Sequence, residues 1–156
     1  MNGLHFEACD PETTPAIELL AEMRDELNQV YGAFDRLDNP KLEPDELRPP
    51  SGGYLVGYVG AEAVAGGGVR FLADGLGEIK RMFVRPAARS QGVAGDLLSA
   101  LEDLAVTRGY AAVRLDTGPK QPHAMTLYRR AGYADIERYN ENPFACFWGE
   151  KDLRPN

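Results

Sequence analysis

Cysteine and histidine are scarce in this chain, and their scarcity removes whole classes of chemistry. Cys9 and Cys146 stand far apart without metal-type spacing, so neither a disulfide framework nor a thiolate metal site organises the fold. They read as reduced thiols in the interior of a cytosolic protein, Cys146 packing in the last strand rather than carrying an acyl group. His5 and His123 cannot assemble a histidine-rich site, and no carboxylate cluster completes one, so no metal is expected. Basic residues are also in deficit: 17 Lys+Arg against 24 Asp+Glu give a formal net charge of -7. Such a surface disfavours binding along a phosphate backbone, and nucleic acid is not an expected partner. The first residues, from Met1 to Glu7, lack the basic stretch and apolar run of a secretory signal. No apolar run reaches membrane-spanning length. The expectation is a soluble, cytoplasmic protein that does not associate with membranes.

What is present suits one globular domain spanning residues 1–156, with 44% hydrophobic and 26% charged residues. Leu4, Phe6 and Ala8 alternate with polar neighbours, a pattern for a short strand. A helix is predicted from near Pro15 to Tyr31-Gly32, its apolar stripe built on Ile17, Leu20, Met23 and Leu27 and widened by Leu19 and Val30. Residues 35–51 are rich in proline and acid and read as a long loop, a binding loop or a surface excursion, with a short helix at Pro44 to Leu47. Three strands follow as an antiparallel meander: 54–59, 63–72 and 76–84. The Gly66-Gly67-Gly68 run lies mid-strand and predicts a bulge or a close backbone approach. Val93, Ala94, Leu97, Leu98, Leu101, Leu104 and Ala105 carry helical spacing up to Gly109. The strand 111–116 completes a crossover unit, so it should lie parallel to the strand before the helix. A second helix, 122–131, and two closing strands, 133–139 and 144–151, end the order β-α-loop-β-β-β-α-β-α-β-β.

The chemistry concentrates where the strand ending at Val84 meets the best helix, through Arg85-Pro86-Ala87-Ala88-Arg89-Ser90-Gln91-Gly92-Val93-Ala94-Gly95. A helix start leaves backbone N–H groups without partners and carries the positive end of the macrodipole, which favours an anion. Gly92 and the small Ala94 allow phosphates close to the main chain, and Arg85 and Arg89 add local positive charge. The turn lacks the three glycines of a dinucleotide fingerprint and the Gly-Lys-Ser/Thr of a P-loop. On its own it is an anion-binding helix start or an ordinary one.

Arg89-x-x-Gly92-x-Ala94, preceded by Glu78 to Pro86, resembles the acetyl-CoA motif of the GNAT N-acetyltransferase superfamily. Ala124-x-x-Leu127-Tyr128-x-x-x-Gly132-Tyr133 resembles that family's later helix. The resemblance implies an α/β (α+β) fold with a mixed, strongly bent sheet flanked by helices. It implies an enzyme transferring acetyl from acetyl-CoA to a primary amine on a small molecule or peptide. The other function carried by the same fold is a non-catalytic acyl-CoA sensor.

Carried onto this chain, Gln91, Gly92, Val93, Ala94 and Gly95 would hold the pyrophosphate, with Arg89 and Ser90 beside it. Pantetheine would pair with the main chain of Met82, Phe83 and Val84, an amide near Phe83 or Val84 polarising the thioester carbonyl. Tyr128 would serve the departing thiolate. Gln121 replaces the family's common asparagine as a cofactor contact. Glu78 is the candidate base if it faces the cleft; otherwise it is a solvent-facing strand carboxylate. His123, beside Pro122, reads as a surface or capping residue rather than a base. Arg129 and Arg130 read equally as phosphate contacts or as a solvated face. Homodimers are common in the superfamily, which makes a second copy a candidate partner. Residues shaping the acceptor site would come from the first helix, the 35–51 loop and the closing strands.

Overall fold

The computed structural model describes residues 1–32 and 42–155. Seven strands form one sheet in the order β1-β2-β3-β4-β5-β7-β6. They are β1 (Leu4–Ala8), β2 (Gly53–Val59), β3 (Glu62–Ala73), β4 (Leu76–Val84), β5 (Ala112–Thr117), β6 (Ala134–Asp135) and β7 (Phe147–Asp152). All neighbours are antiparallel except β4 and β5. Those two run parallel, as the crossover through α2 (Val93–Thr107) requires.

The parallel pair is short, and its shortness positions the site. Pairing runs from Leu76–Ala112 to Glu78–Arg114 and then stops, although β4 continues to Val84 and β5 to Thr117. Beyond Glu78 the two strands diverge and open a V in the sheet. A bulge on the other side of β4 reinforces the bend. Gly66 faces Phe83 and Gly68 faces Lys80, so Arg81 and Met82 together oppose the single Gly67. Arg81 takes a left-handed backbone at φ 63° to make this bulge. The triple glycine answers a close approach. A Cβ on Gly67 would stand 2.9 Å from a Leu101 methyl, and one on Gly68 2.6 Å from a Leu47 methyl.

Two apolar clusters cover the two faces. Helix α2 packs Leu97, Leu98, Leu101 and Ala105 against Val69, Ile79, Val113 and Leu115. Each of these leucines is fully buried, worth roughly 1.5–3 kcal/mol. On the opposite face α1 (Ala16–Tyr31) packs Ala16 and Leu19 with Leu47, Tyr54, Val56 and Phe83. The buried stripe of α1 is therefore Ala16, Leu19 and Leu27, with Leu20 and Met23 half-buried, and Ile17 is 47% exposed. The expected stripe was rotated: apolar spacing alone fits Ile17 as well as Ala16, and contact with the sheet selects Ala16.

The closing segment departs further from expectation. The strand expected over 133–139 shrinks to Ala134–Asp135, and the one expected from 144 begins at Phe147. Between them asparagine side chains serve the backbone: Asn140 Oδ1 accepts from Asn142 N at 3.3 Å, and Asn142 Oδ1 from Phe144 N at 3.0 Å. Cys146 precedes β7 and is exposed rather than packed in a strand. The 3-10 turn Pro44–Leu47 forms as expected, closed by a reciprocal cap between Glu43 and Glu46. Part of the 35–51 loop, with Asp35 and Asp38, lies outside the described residues.

Candidate active site

The turn before α2 is built from two residues with left-handed backbone, Ser90 at φ 64° and Gly92 at φ 81°. Gly92 is the helix N-cap and no side chain caps that end. Val93, Ala94 and Gly95, as first-turn residues, present N–H groups without intrahelical acceptors. These groups border a groove of about 490 Å³ that runs between β4, α2 and α3 (Pro122–Arg130). Of the expected cofactor residues, Met82, Phe83, Val84, Arg89, Ser90, Gly92, Val93, Ala94, Gly95 and Gln121 line it. Gln91 does not; its side-chain amide donates to the Ala87 carbonyl at 3.2 Å. Ala88, His123, Ala124 and Leu127 complete the wall, with His123 exposed. Arg129 turns away from phosphate duty and pairs with Asp135 at 2.8 Å.

The two arginines expected to supply positive charge are both engaged by α1. Arg85 makes a two-pronged pair with Glu22, at 3.0 and 2.7 Å. Arg89 pairs with Glu26 at 2.7 Å and donates through Nε to the Val84 carbonyl at 2.8 Å. Its guanidinium lies over the Phe83 ring, 5.6 Å from the centroid. The acidic face of α1 thus offsets the positive charge of the turn, leaving the backbone N–H groups as the unopposed anion-binding element.

A second, smaller cavity of about 90 Å³ lies at the mouth of the V. Met23, Leu27 and Tyr31 of α1 line it, with Ile79, Lys80, Arg81 and Met82 of β4, Asp116 and Thr117 of β5, and Asn142 and Phe144 of the closing segment. Tyr128 borders both this cavity and the groove. Its hydroxyl stands 3.9 Å from Met82 Sδ, and its ring stacks on Phe147. Burial, aided by the negative charge of Asp116, pushes the phenol well above its usual range, so Tyr128 stays a proton donor at neutral pH. Gln121 also borders both spaces, and its Oε1 accepts from Thr117 at 3.3 Å.

Glu78 lines neither space. It is buried, and its carboxylate accepts from Tyr139 at 2.5 Å and Asn140 at 3.4 Å, with Arg70 Nε 3.1 Å away. Neither reading of Glu78 from the sequence describes its position: it borders neither the groove nor the small cavity, and it is buried rather than solvent-facing. On β4 it stands beside β3's Arg70 and β5's Arg114 in register, and the closing segment seals that surface with Tyr139 and Asn140. Asp116, inside the strand expected over 111–116, does line the cavity. Asn140 donates to it at 2.5 Å and Lys80 Nζ lies 3.8 Å away.

The Acetyltransferase (GNAT) family model matches residues 18–133. The chain belongs to the GNAT acetyltransferase family. An IAA acetyltransferase of Azospirillum brasilense is 33% identical over 147 residues, covering 92% of this chain and 94% of that protein. A Klebsiella pneumoniae subsp. pneumoniae structure, described as a candidate acyl-CoA N-acyltransferase, superposes with TM-score 0.76 at 28% identity, covering 97% of this chain and 98% of the other. A GNAT acetyltransferase of Elizabethkingia anophelis, solved with acetyl-CoA bound, shares the fold at TM-score 0.68 and 16% identity, covering 97% and 99% of the two chains.

This GNAT chain is accordingly an N-acetyltransferase, and the fold expected from its two motifs is the fold observed. Among the described residues no helix of the acetyltransferase is long and apolar enough to cross a membrane. Nor does any group of three or more His, Cys, Asp or Glu among them stand ready to hold a metal. What the motifs could not reveal is the cavity behind Tyr128. Its walls come from four separate stretches of the GNAT chain, and only the register of β4 against β5 could have pointed to Asp116.

Proposed function

We propose that this enzyme transfers the acetyl group of acetyl-CoA to a primary amine by direct attack, with no acyl-enzyme intermediate, and that residues 1–156 act as one catalytic domain. The observation that carries the reading is the shared wall: Tyr128, Met82 and Gln121 border both the groove and the small cavity. A donor in the groove and an acceptor in the cavity would meet at those three side chains.

The residues fit the donor. The first-turn N–H groups at Val93 to Gly95 suit a pyrophosphate. The β4 edge from Met82 to Val84 has no strand beside it on the β5 side among the described residues, so it can accept an extended amide-bearing arm. A main-chain N–H at Phe83 or Val84 would polarise the thioester carbonyl. Tyr128, protonated and buried, would donate to the departing thiolate. The attacking atom is the acceptor's own nitrogen, so no protein nucleophile is required. That the Azospirillum brasilense relative is named for acetylating IAA, and that a CoA complex at TM-score 0.71 is an aminoglycoside 6'-N-acetyltransferase, supports small-molecule acceptors as a class.

Calorimetric titration with acetyl-CoA is expected to show one donor bound per chain. Thiol release against a panel of amines, with mass detection of the acetylated product, is expected to identify the acceptor. A folded protein that does not bind acetyl-CoA sinks the reading. One that binds it and never releases thiol with any amine is a sensor instead.

A further inference from the structure

We propose that Asp116, rather than Glu78, removes the proton from the acceptor's ammonium group; the inference rests on the amine-acetylation reading above. An alkyl amine, with a pKa on the order of 10 like a lysine side chain, is protonated at neutral pH and cannot attack until it loses a proton. The group that takes this proton must border the space where the acceptor sits. Among the residues lining the small cavity, Asp116 is the carboxylate. The other ionisable groups there are Lys80, Arg81, Tyr31 and Tyr128. The two cations cannot accept a proton, and burial holds both phenols protonated.

Position and support agree with the role. Asp116 lies two residues beyond Arg114, the last β5 residue paired with β4, and so stands at the mouth of the V. Its side chain is 8% exposed. Asn140 holds it by a 2.5 Å hydrogen bond, and Trp148 Nε1 in turn donates to Asn140 Oδ1 at 2.9 Å. The groups facing it are Lys80 and Glu78 from β4, Tyr128 from α3, Tyr139 and Asn140 from the closing segment, and Trp148 opposite it on β7. Glu78 reaches the cavity only through Asn140 and Lys80, which makes it a positioning residue.

The protons balance as follows. The acceptor's ammonium gives one proton to the Asp116 carboxylate, and the freed nitrogen lone pair forms the new C–N bond at the thioester carbon. The tetrahedral adduct then breaks its C–S bond. The second nitrogen proton leaves as the amide forms, and the thiolate gains one proton from Tyr128, which is reprotonated in exchange. Asp116 releases its proton to solvent, so one proton per turnover appears in the medium.

Asp116→Asn and Asp116→Ser test this, with the most active amine of the panel as acceptor. Both variants are expected to bind acetyl-CoA as the wild type does, by calorimetry. At pH 7 each is expected to lose about 100- to 10,000-fold in kcat/KM. That deficit should shrink about tenfold per pH unit toward the acceptor's own pKa, since free amine then replaces the missing base. Glu78→Gln should show a smaller loss that is constant with pH. A deficit of equal size at every pH in the Asp116 variants, or wild-type turnover in either, overturns the proposal. Wild-type protein that binds no acetyl-CoA or releases no thiol overturns the underlying reading instead.

Discussion

At Tyr128 a single oxygen atom separates packing from chemistry. The ring fills space against Phe147 and Tyr133, while the hydroxyl reaches the wall shared by groove and cavity. Tyr128→Phe keeps the ring and removes the proton donor. It is expected to lower kcat on the order of 100-fold while acetyl-CoA affinity by calorimetry stays unchanged. Because burial raises the phenol's pKa, its deprotonation lies above the usual tyrosine range, and the alkaline limb of the rate profile should not belong to Tyr128. Gly92 behaves differently. Open space surrounds the position a Cβ would take, so bulk alone is tolerated, but φ of 81° strains any L side chain. Gly92→Ala is therefore expected to cost about 1–2 kcal/mol of stability in denaturant melts. Gly92→Glu adds a negative charge at the anion cradle and should weaken acetyl-CoA binding at least about 100-fold, the effect of roughly 3 kcal/mol.

Between elements, the decisive contact is the acidic face of α1 against the turn before α2. Glu26 holds Arg89 while Arg89 also occupies the Val84 carbonyl, which an incoming amide would otherwise use. Both partners of this pair are more than a third exposed, so its net worth is about 0–1 kcal/mol. Donor phosphates can therefore compete for Arg89. Glu26→Gln is expected to tighten acetyl-CoA binding by up to about fivefold, the reach of about 1 kcal/mol. Weaker binding in Glu26→Gln would overturn this expectation, since freeing Arg89 and removing a negative charge beside the turn both favour the anion. This contact spans 63 residues, which explains why the motif alone misjudged the charge of the turn. Features made by neighbours in sequence were legible: α2 by its leucine spacing and β4 over its full length. Features made by distant partners were not. Tyr139 looked like a strand residue until Glu78, 61 positions earlier, drew its hydroxyl inward. Asp116 gained meaning only when β5 parted from β4 two residues before it.

At the scale of the whole molecule, one sheet carries separate apolar clusters on its two faces, and the site lies where the sheet splits. Residues that bind segments across the sheet edge then matter more than their exposure suggests. Arg48 is such a residue. It pairs with Asp10 at 2.9 Å, and with Glu12 and Asp45, tying the β1–α1 connection to the stretch that enters β2. The Arg48 guanidinium and the Glu12 N–H hold the Asp10 carboxyl at about 2, below its usual 3.8. A carboxylate whose folded-state pKa is depressed contributes stability that is complete above its unfolded value and is lost as pH falls through the folded one. For Asp10 that window runs from about 4 down to about 2. Arg48→Met removes the guanidinium and keeps the apolar stem, so Asp10 should return toward its ordinary range. Tm measured against pH is expected to lie below wild type at pH 7 and to converge on it as pH falls toward 2. A Tm gap that persisted undiminished at pH 2 would assign the role of Arg48 to packing of its stem rather than to its charge, since by then most of the Asp10 contribution is lost, its carboxyl half-protonated in the wild type and protonated in the variant.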